Sequence, residues 1–259
     1  MPRTRSLADV RAVFELKAGG FTDREVAAHT GVPMNTIRVW RNRSVPLCAR
    51  PAIVSEYRVR NDTPPDVRSL PCPSYAYLLG MYLGDGCLAR NGSSWTLRIA
   101  LDAAYPGIIA ECQAAVEQIA HSRRVYTRPA SGGQRCVNVA CTWYPWVVLF
   151  PQHGRGRKHH RRIQLADWQQ NIVDTAPEQF LRGLIHTDGW RGVNRVHVKG
   201  KDYAYPRYQF SNRSDDIRRL FTDTCDRLGI EWRRWTRYHI SVARRESVAL
   251  LDTFVGPKY

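Results

Sequence analysis

Apolar positions fall along the chain in three regimes. Over residues 6–43 they recur in short bursts three to four apart, the spacing of small amphipathic helices. Residues 6–17 make a first helix, ended by Gly19 and Gly20. Thr22 caps a second, which carries Val26 and Ala27; Gly31 makes the turn, and Pro33 opens a third that runs through Trp40. Over residues 44–73 the periodicity vanishes. Six of the fifteen prolines lie there (Pro46, Pro51, Pro64, Pro65, Pro71 and Pro73), so the segment reads as an extended, semi-stiff connection. From residue 74 onward, long apolar helical runs alternate with period-two strands. A helix over 74–85 is followed by strand near 95–101, helix over 107–120, strands near 124–127 and 135–142, and a short helix over 145–150. The same order then repeats. Thr175-x-x-Glu178 reads as the capping box of a helix ending at Asp188. Strands near 195–199 and 207–211, a helix over 214–229, strands near 232–237 and 239–243, and a helix over 247–255 complete the repeat. The expected fold class is α+β: two pseudo-symmetric αββαββα halves behind a small all-α unit. The boundaries are 1–45 for that unit, 46–73 for the linker, 74–176 for the first half with a basic connector, and 177–259 for the second half.

Each half opens on the same kind of stretch: LLGMYLGDG at 78–86 and LRGLIHTDG at 181–189. Gly80-x3-Gly84 puts two small residues on one helix face, and Gly183-x3-Thr187 does so less perfectly. Glycine weakens a helix by about 1 kcal/mol against alanine, so its use there needs a packing reason. The economical reading is two helices packed on each other about a pseudo-two-fold axis, in one monomer, with their C-terminal tips side by side. That brings Asp85 and Asp188 together. A carboxylate at a helix C-terminus faces the negative end of the dipole, and two of them repel. Mg²⁺ or another divalent cation removes both penalties, since such ions accept two carboxylates and several waters as ligands. Gly86 and Gly189 are expected to turn the chain sharply beside the site.

Charge decides what such a centre would act on. Lys+Arg minus Asp+Glu is 39 − 23 = +16, and the pI is about 10.0, which calls for a polyanionic partner. Between Glu117 and Asp167 there are 49 residues with no acid, nine Lys/Arg and four His. RGRKHHRRI at 155–163 is the densest part and reads as a phosphate-gripping segment. The candidate DNA contacts are Arg155, Arg157, Arg161 and Arg162 there, and Arg98, Arg135, Lys199, Lys201, Arg207, Arg234 and Arg237 on or beside strands. Arg128 and Arg195 also lie by strands. The spacing Ala27-x3-Gly31-x5-Ile37 is that of a helix-turn-helix, whose third helix would present Asn35, Thr36, Arg38, Arg41 and Arg43 to double-stranded DNA. A metal centre in a basic protein suggests phosphodiester hydrolysis. No apolar run reaches the ~18 residues of a membrane span. The seven cysteines are odd in number and form no CxxC, which suits reduced thiols in a cytoplasm, near the nucleoid. Cys136 and Cys141 with His153, His159 and His160 match no common zinc spacing.

The two quoted stretches resemble the paired motifs of the LAGLIDADG homing endonucleases, in a single-chain arrangement covering about 73–258. The second-half run YQFSNRSDDIRRLF (208–221) is similar to the family as well. The resemblance implies saddle-shaped sheets in the DNA major groove and metal-dependent double-strand cleavage, as in intron homing. The acid before the final glycine is then the metal ligand, which maps to Asp85 and Asp188. Leu83 and His186 stand where some members carry another residue. Such enzymes usually add a basic residue to each site. Only five of the 39 basic residues are lysines, and two recur at matching places: Lys158 follows Asp85 by 73 residues and Lys258 follows Asp188 by 70. Each comes just after a short apolar helix and a glycine. The leading expectation is a freestanding, site-specific DNA endonuclease, the chain starting at Met and lacking a terminal His-Asn pair. The alternatives are a non-cleaving transcription regulator on the same fold, an RNA-binding splicing cofactor and a DNA-packaging protein.

Overall fold

The computed structural model describes residues 7–42, 65–92, 94–121, 123–129, 135–198, 200–256 and 258. The chain divides into two compact units, Met1–Thr63 and Pro64–Tyr259. In the first, α1 (Leu7–Ala18), α2 (Asp23–Thr30) and α3 (Met34–Asn42) close on a small core of Val10, Val13, Val26, Val32, Ile37 and Trp40. Thr22 caps α2 as expected. Its hydroxyl accepts from Glu25 N, and Glu25 accepts from Thr22 N at 2.7 Å. Gly31 takes φ 64°, the left-handed turn its position demands. Residues 46–64, most of the expected linker, lie outside the described residues.

The second unit holds both repeats. The first runs α4 (Cys72–Asp85), β1 (Gly86–Asn91), β2 (Ser94–Asp102), α5 (Pro106–Ile119), β3 (Val125–Pro129), β4 (Cys136–Thr142) and α6 (Trp146–Leu149). After α7 (Asp167–Thr175) the second runs α8 (Pro177–Asp188), β5 (Gly189–Val198), β6 (Lys201–Ser211), α9 (Asp215–Arg227), β7 (Arg233–Arg234), β8 (His239–Val242) and α10 (Arg245–Phe254). The two antiparallel sheets share one topology, β1-β2-β4-β3 and β5-β6-β8-β7. The α+β class and the αββαββα repeat stand as the sequence predicts.

One apolar core joins the halves, and α4 lies in its middle, buried from Tyr75 to Leu83. Strand alternation sets which way each sheet faces. Leu97, Ile99 and Leu101 of β2 point into the core while Arg98 points out. Tyr208 and Phe210 of β6 point inward while Lys201, Tyr203, Tyr205 and Arg207 take the other face.

Three sequence readings need correction. Thr175 does not cap α8: it ends α7, its hydroxyl donating to Asn171 O at 2.8 Å, and Pro177 opens α8 without any side-chain cap. Proline has no N–H to satisfy and a φ suited to a first turn, so no capping side chain is needed there. The helix α7 itself was not foreseen. Gly86 and Gly189 do not turn sharply either; both are extended, with φ −86° and −98°. They are small for lack of room, since a Cβ on Gly86 would lie 2.5 Å from Tyr82 Cα and one on Gly189 2.6 Å from Ile185 Cα.

Candidate active site and nucleic-acid face

The site starts from the crossing of α4 and α8. A Cβ on Gly80 would lie 2.5 Å from Phe180 O and 2.8 Å from Leu184 N. One on Gly183 would lie 2.2 Å from Tyr77 O. The two backbones therefore touch at these glycines, as only residues without a side chain allow. The close approach continues to the tips, where a Cβ on Gly84 would meet Thr187 Oγ1 at 2.0 Å and Asp188 Oδ2 at 3.2 Å. Asp85 follows Gly84 directly, so both carboxylates line one cleft.

Their electrostatics are adverse. Burial, then the Asp85 charge, push Asp188 up to about 6, although Asn212 Nδ2 donates to its Oδ2 at 2.7 Å. Asp85 opens to solvent, yet its surroundings still raise it, desolvation outweighing Lys158 and Lys258. Among the described residues neither aspartate has an ion pair within 4 Å, and Asp85 accepts no hydrogen bond.

The two lysines are held by backbone. Lys158 Nζ donates to Tyr82 O, Leu83 O and Gly84 O at 2.5, 3.0 and 2.8 Å. All three of its protons cap the last carbonyls of α4, where the helix dipole favours a cation. Burial pushes this ammonium down to about 8, with Asp188 and Asp85 opposing. Lys258 Nζ donates to Gly189 O at 2.5 Å and lies 5.8 Å from the Tyr105 ring centroid. Burial lowers it too, against Asp85 and Asp188.

The surroundings differ on the two sides. Lys158 shares its cleft with both aspartates, His153, Arg161, Asn212 and Arg213. Arg161 is enclosed there, and its Nε and Nη1 have no hydrogen-bond partner. Gly154 leaves room for it, since a Cβ at that position would lie 2.4 Å from Nη1. Lys258 lines a second cleft with Asp85, Asp102, Tyr105, His186 and Thr187. Asn212, Arg213 and Tyr105 were given no role from sequence, and His153 entered there only as a candidate zinc ligand. They join the site only through tertiary pairing, and no local spacing marks them.

The other expected contacts spread over the outer faces of the sheets and the connector. Arg98 lies on the outer face of the first sheet, opposite Cys87 and Ala140; Arg128 shares that face. Lys201 and Arg207 share the outer face of the second sheet with Tyr203 and Tyr205. Arg234 pairs with Ile240, which is buried, so it is Arg233, opposite Ser241, that shares the side of Arg207. Arg135, Arg155, Arg157, Arg162 and Arg237 are exposed. In the first unit Asn35 and Arg38 are exposed and Thr36 is half-buried. Arg43 and Lys199 lie outside the described residues, and of Arg41 only the backbone is described. Large apolar groups stand exposed on the outer face of the second sheet, among them Trp190, Tyr205 and Trp235.

Neither a protein-family model nor a curated protein matches the chain. Several solved structures resemble it. One is the homing endonuclease I-DmoI in complex with DNA and Mn, 12% identical with a TM-score of 0.45, covering 73% of this chain and 99% of that one. Another is the LAGLIDADG meganuclease I-AabMI bound to uncleaved DNA, 11% identical with a TM-score of 0.44, covering 70% and 82%. A third is the N-terminal LAGLIDADG domain of DUF199/WhiA, 9% identical with a TM-score of 0.43, covering 74% and 87%. These are likenesses of chain architecture. No described helix is long and apolar enough to cross a membrane.

Proposed function

We propose that this chain is a site-specific, metal-dependent endonuclease that cuts both strands of duplex DNA. The observation that carries the reading is the meeting of Asp85 and Asp188 at the tips of two glycine-crossed helices, in a cleft walled by Lys158, Arg161, His153 and Arg213. Two carboxylates raised by burial, one of them also by its neighbour's charge, and without an ion-pair partner among the described residues, suit a hard divalent cation. No cluster of three or more His, Cys, Asp or Glu occurs among the described residues, so waters and phosphate oxygens would complete the shell. Asp85 and Asp188 would hold Mg²⁺ or Mn²⁺, which would supply water activation and charge neutralisation at the leaving oxygen.

The residues of the chain do the rest. Asp85 and Asp188 hold the cation. Lys158 and Lys258 lay positive charge beside them while anchored to backbone, so they stabilise the developing phosphorane without reorganising. Arg161 adds its guanidinium charge to the wall of the cleft where a phosphate would lie. Arg98, Arg128, Lys201, Arg207 and Arg233 supply basic groups on the sheet faces for groove and backbone contacts. The small N-terminal unit is a helix-turn-helix that adds a second DNA contact through Asn35, Thr36 and Arg38. One observation favours a regulator that binds without cutting: Lys158 commits every ammonium proton to carbonyls. The test is a randomised duplex library incubated with the protein in Mg²⁺ or in EDTA, with new ends sequenced. Magnesium-dependent ends at one recurring sequence support the nuclease. Enrichment of bound sequences without new ends supports the regulator.

A further inference from the structure

The C-terminal segment that carries Lys258 is tied to α8 by two side chains. Arg182 Nη1 donates to Phe254 O at 2.6 Å, at the end of α10. Its Nε and Nη2 fork onto Glu111 of α5 at 3.0 and 2.6 Å. One turn further along α8, His186 Nε2 lies 3.2 Å from Val255 O and its Nδ1 3.0 Å from the Tyr77 hydroxyl on α4. A carbonyl only accepts, so Nε2 carries the proton and Nδ1 accepts from Tyr77: a neutral ring bonded at both ends. The carbonyls of 254 and 255 are the orphan acceptors that any helix leaves at its C-terminus. Beyond them Gly256 takes φ 70°, and Lys258 comes back to Gly189 O.

The first half secures its matching segment by other residues: the Tyr75 hydroxyl of α4 donates to Leu149 O at the end of α6, and Gln169 Nε2 of α7 reaches the same carbonyl at 3.3 Å. Aligning Gly80 with Gly183 puts Leu79 and Leu83 at the matching positions of α4, both buried and apolar. Lys158 is fixed by its own three bonds to that helix. The unusual histidine of the second stretch is thus accounted for by the segment it holds.

We infer that Arg182 and His186 are positioning residues for Lys258, and that they govern the cutting of one DNA strand while leaving the other to Lys158. This rests on the nuclease reading. The test uses the full chain and a supercoiled plasmid carrying a sequence recovered from the library, with cleavage of each strand followed separately. His186→Phe removes both ring hydrogen bonds at similar volume. Arg182→Lys keeps the charge but loses the fork that reaches Glu111 and Phe254 O together. Each is expected to slow one strand about ten-fold or more relative to the other, with nicked circles accumulating, since small misplacements of a charged group carry such costs. The slowed strand is the one that Lys258→Met slows. His186→Gln keeps a donor for Val255 O and restores most of the rate. The inference is overturned by equal slowing of both strands, by slowing of the other strand, or by losses that merely track a lowered melting temperature. A wild-type protein that cuts neither strand removes the nuclease reading itself, a separate outcome.

Discussion

Lys158 caps a helix whose final residue is an acid, and both roles meet at one point. Its charge sits beside Asp85 and Asp188, yet its protons go to carbonyls 82–84. Lys158→Met and Lys258→Met are therefore expected to lower the cleavage rate far more than DNA affinity, measured by single-turnover cutting and fluorescence anisotropy. Equal losses in both assays would remove the lysines from the chemistry. Asp188 makes a second residue-scale prediction. Its carboxyl is raised from 3.8 to about 6. A raised acid contributes stability that is complete below its unfolded value and lost as pH rises through its folded value. Metal-free protein should thus lose stability between about pH 4 and pH 6. Asp188→Asn, which keeps an oxygen for Asn212, should be more stable than wild type above pH 6 by about 1–2 kcal/mol, allowing for partial solvent screening. Thermal melts in EDTA across pH check this, and added Mg²⁺ should close the gap. Both lysines were legible because lysine is rare in this chain and the two recur behind matching helices. Asn212 was not, because its role exists only once β6 has brought it back to the tip of α8.

Helices α4 and α8 are held by the absence of side chains at Gly80 and Gly183. Gly80→Ala must push a methyl against the Phe180 carbonyl and Leu184 N, both backbone, so neither can swing aside. A destabilisation of about 3 kcal/mol is expected, at the upper end of overpacking costs, read by urea denaturation. A change below about 1 kcal/mol would mean the helices are not packed this closely. The crossing was legible because small residues four apart on an apolar helix have few other uses. Other elements hid from the sequence for physical reasons. β1 reads GCLARN, short and half polar, and forms because its hairpin partner β2 is strongly alternating. α7 lies in a stretch whose apolar positions, Trp168, Ile172 and Val173, are few, and packing against α4 makes up the difference. The hairpin β5–β6 exceeds its predicted strands because its backbone ladder runs from Gly189 opposite Phe210 to Val198 opposite Lys201, a pairing that the exposed, non-alternating side chains there do not signal.

At the scale of the whole molecule, a charge of +16 is spread over two compact units. If both contact DNA, each neutralised phosphate adds nearly one to the slope of log affinity against log salt. Deleting residues 1–64 should flatten that slope by about two to four units while leaving the magnesium-dependent cut in place, as anisotropy titrations from low to moderate salt would record. An unchanged slope would assign the first unit to some other partner. The central claim, however, concerns the cation. Mn²⁺ binding followed by electron paramagnetic resonance, with DNA present, is the most direct measurement of it. The account predicts that wild type immobilises Mn²⁺ and that Asp85→Asn and Asp188→Asn each lose most of that signal. Mn²⁺ held as tightly by the double variant as by wild type would contradict it.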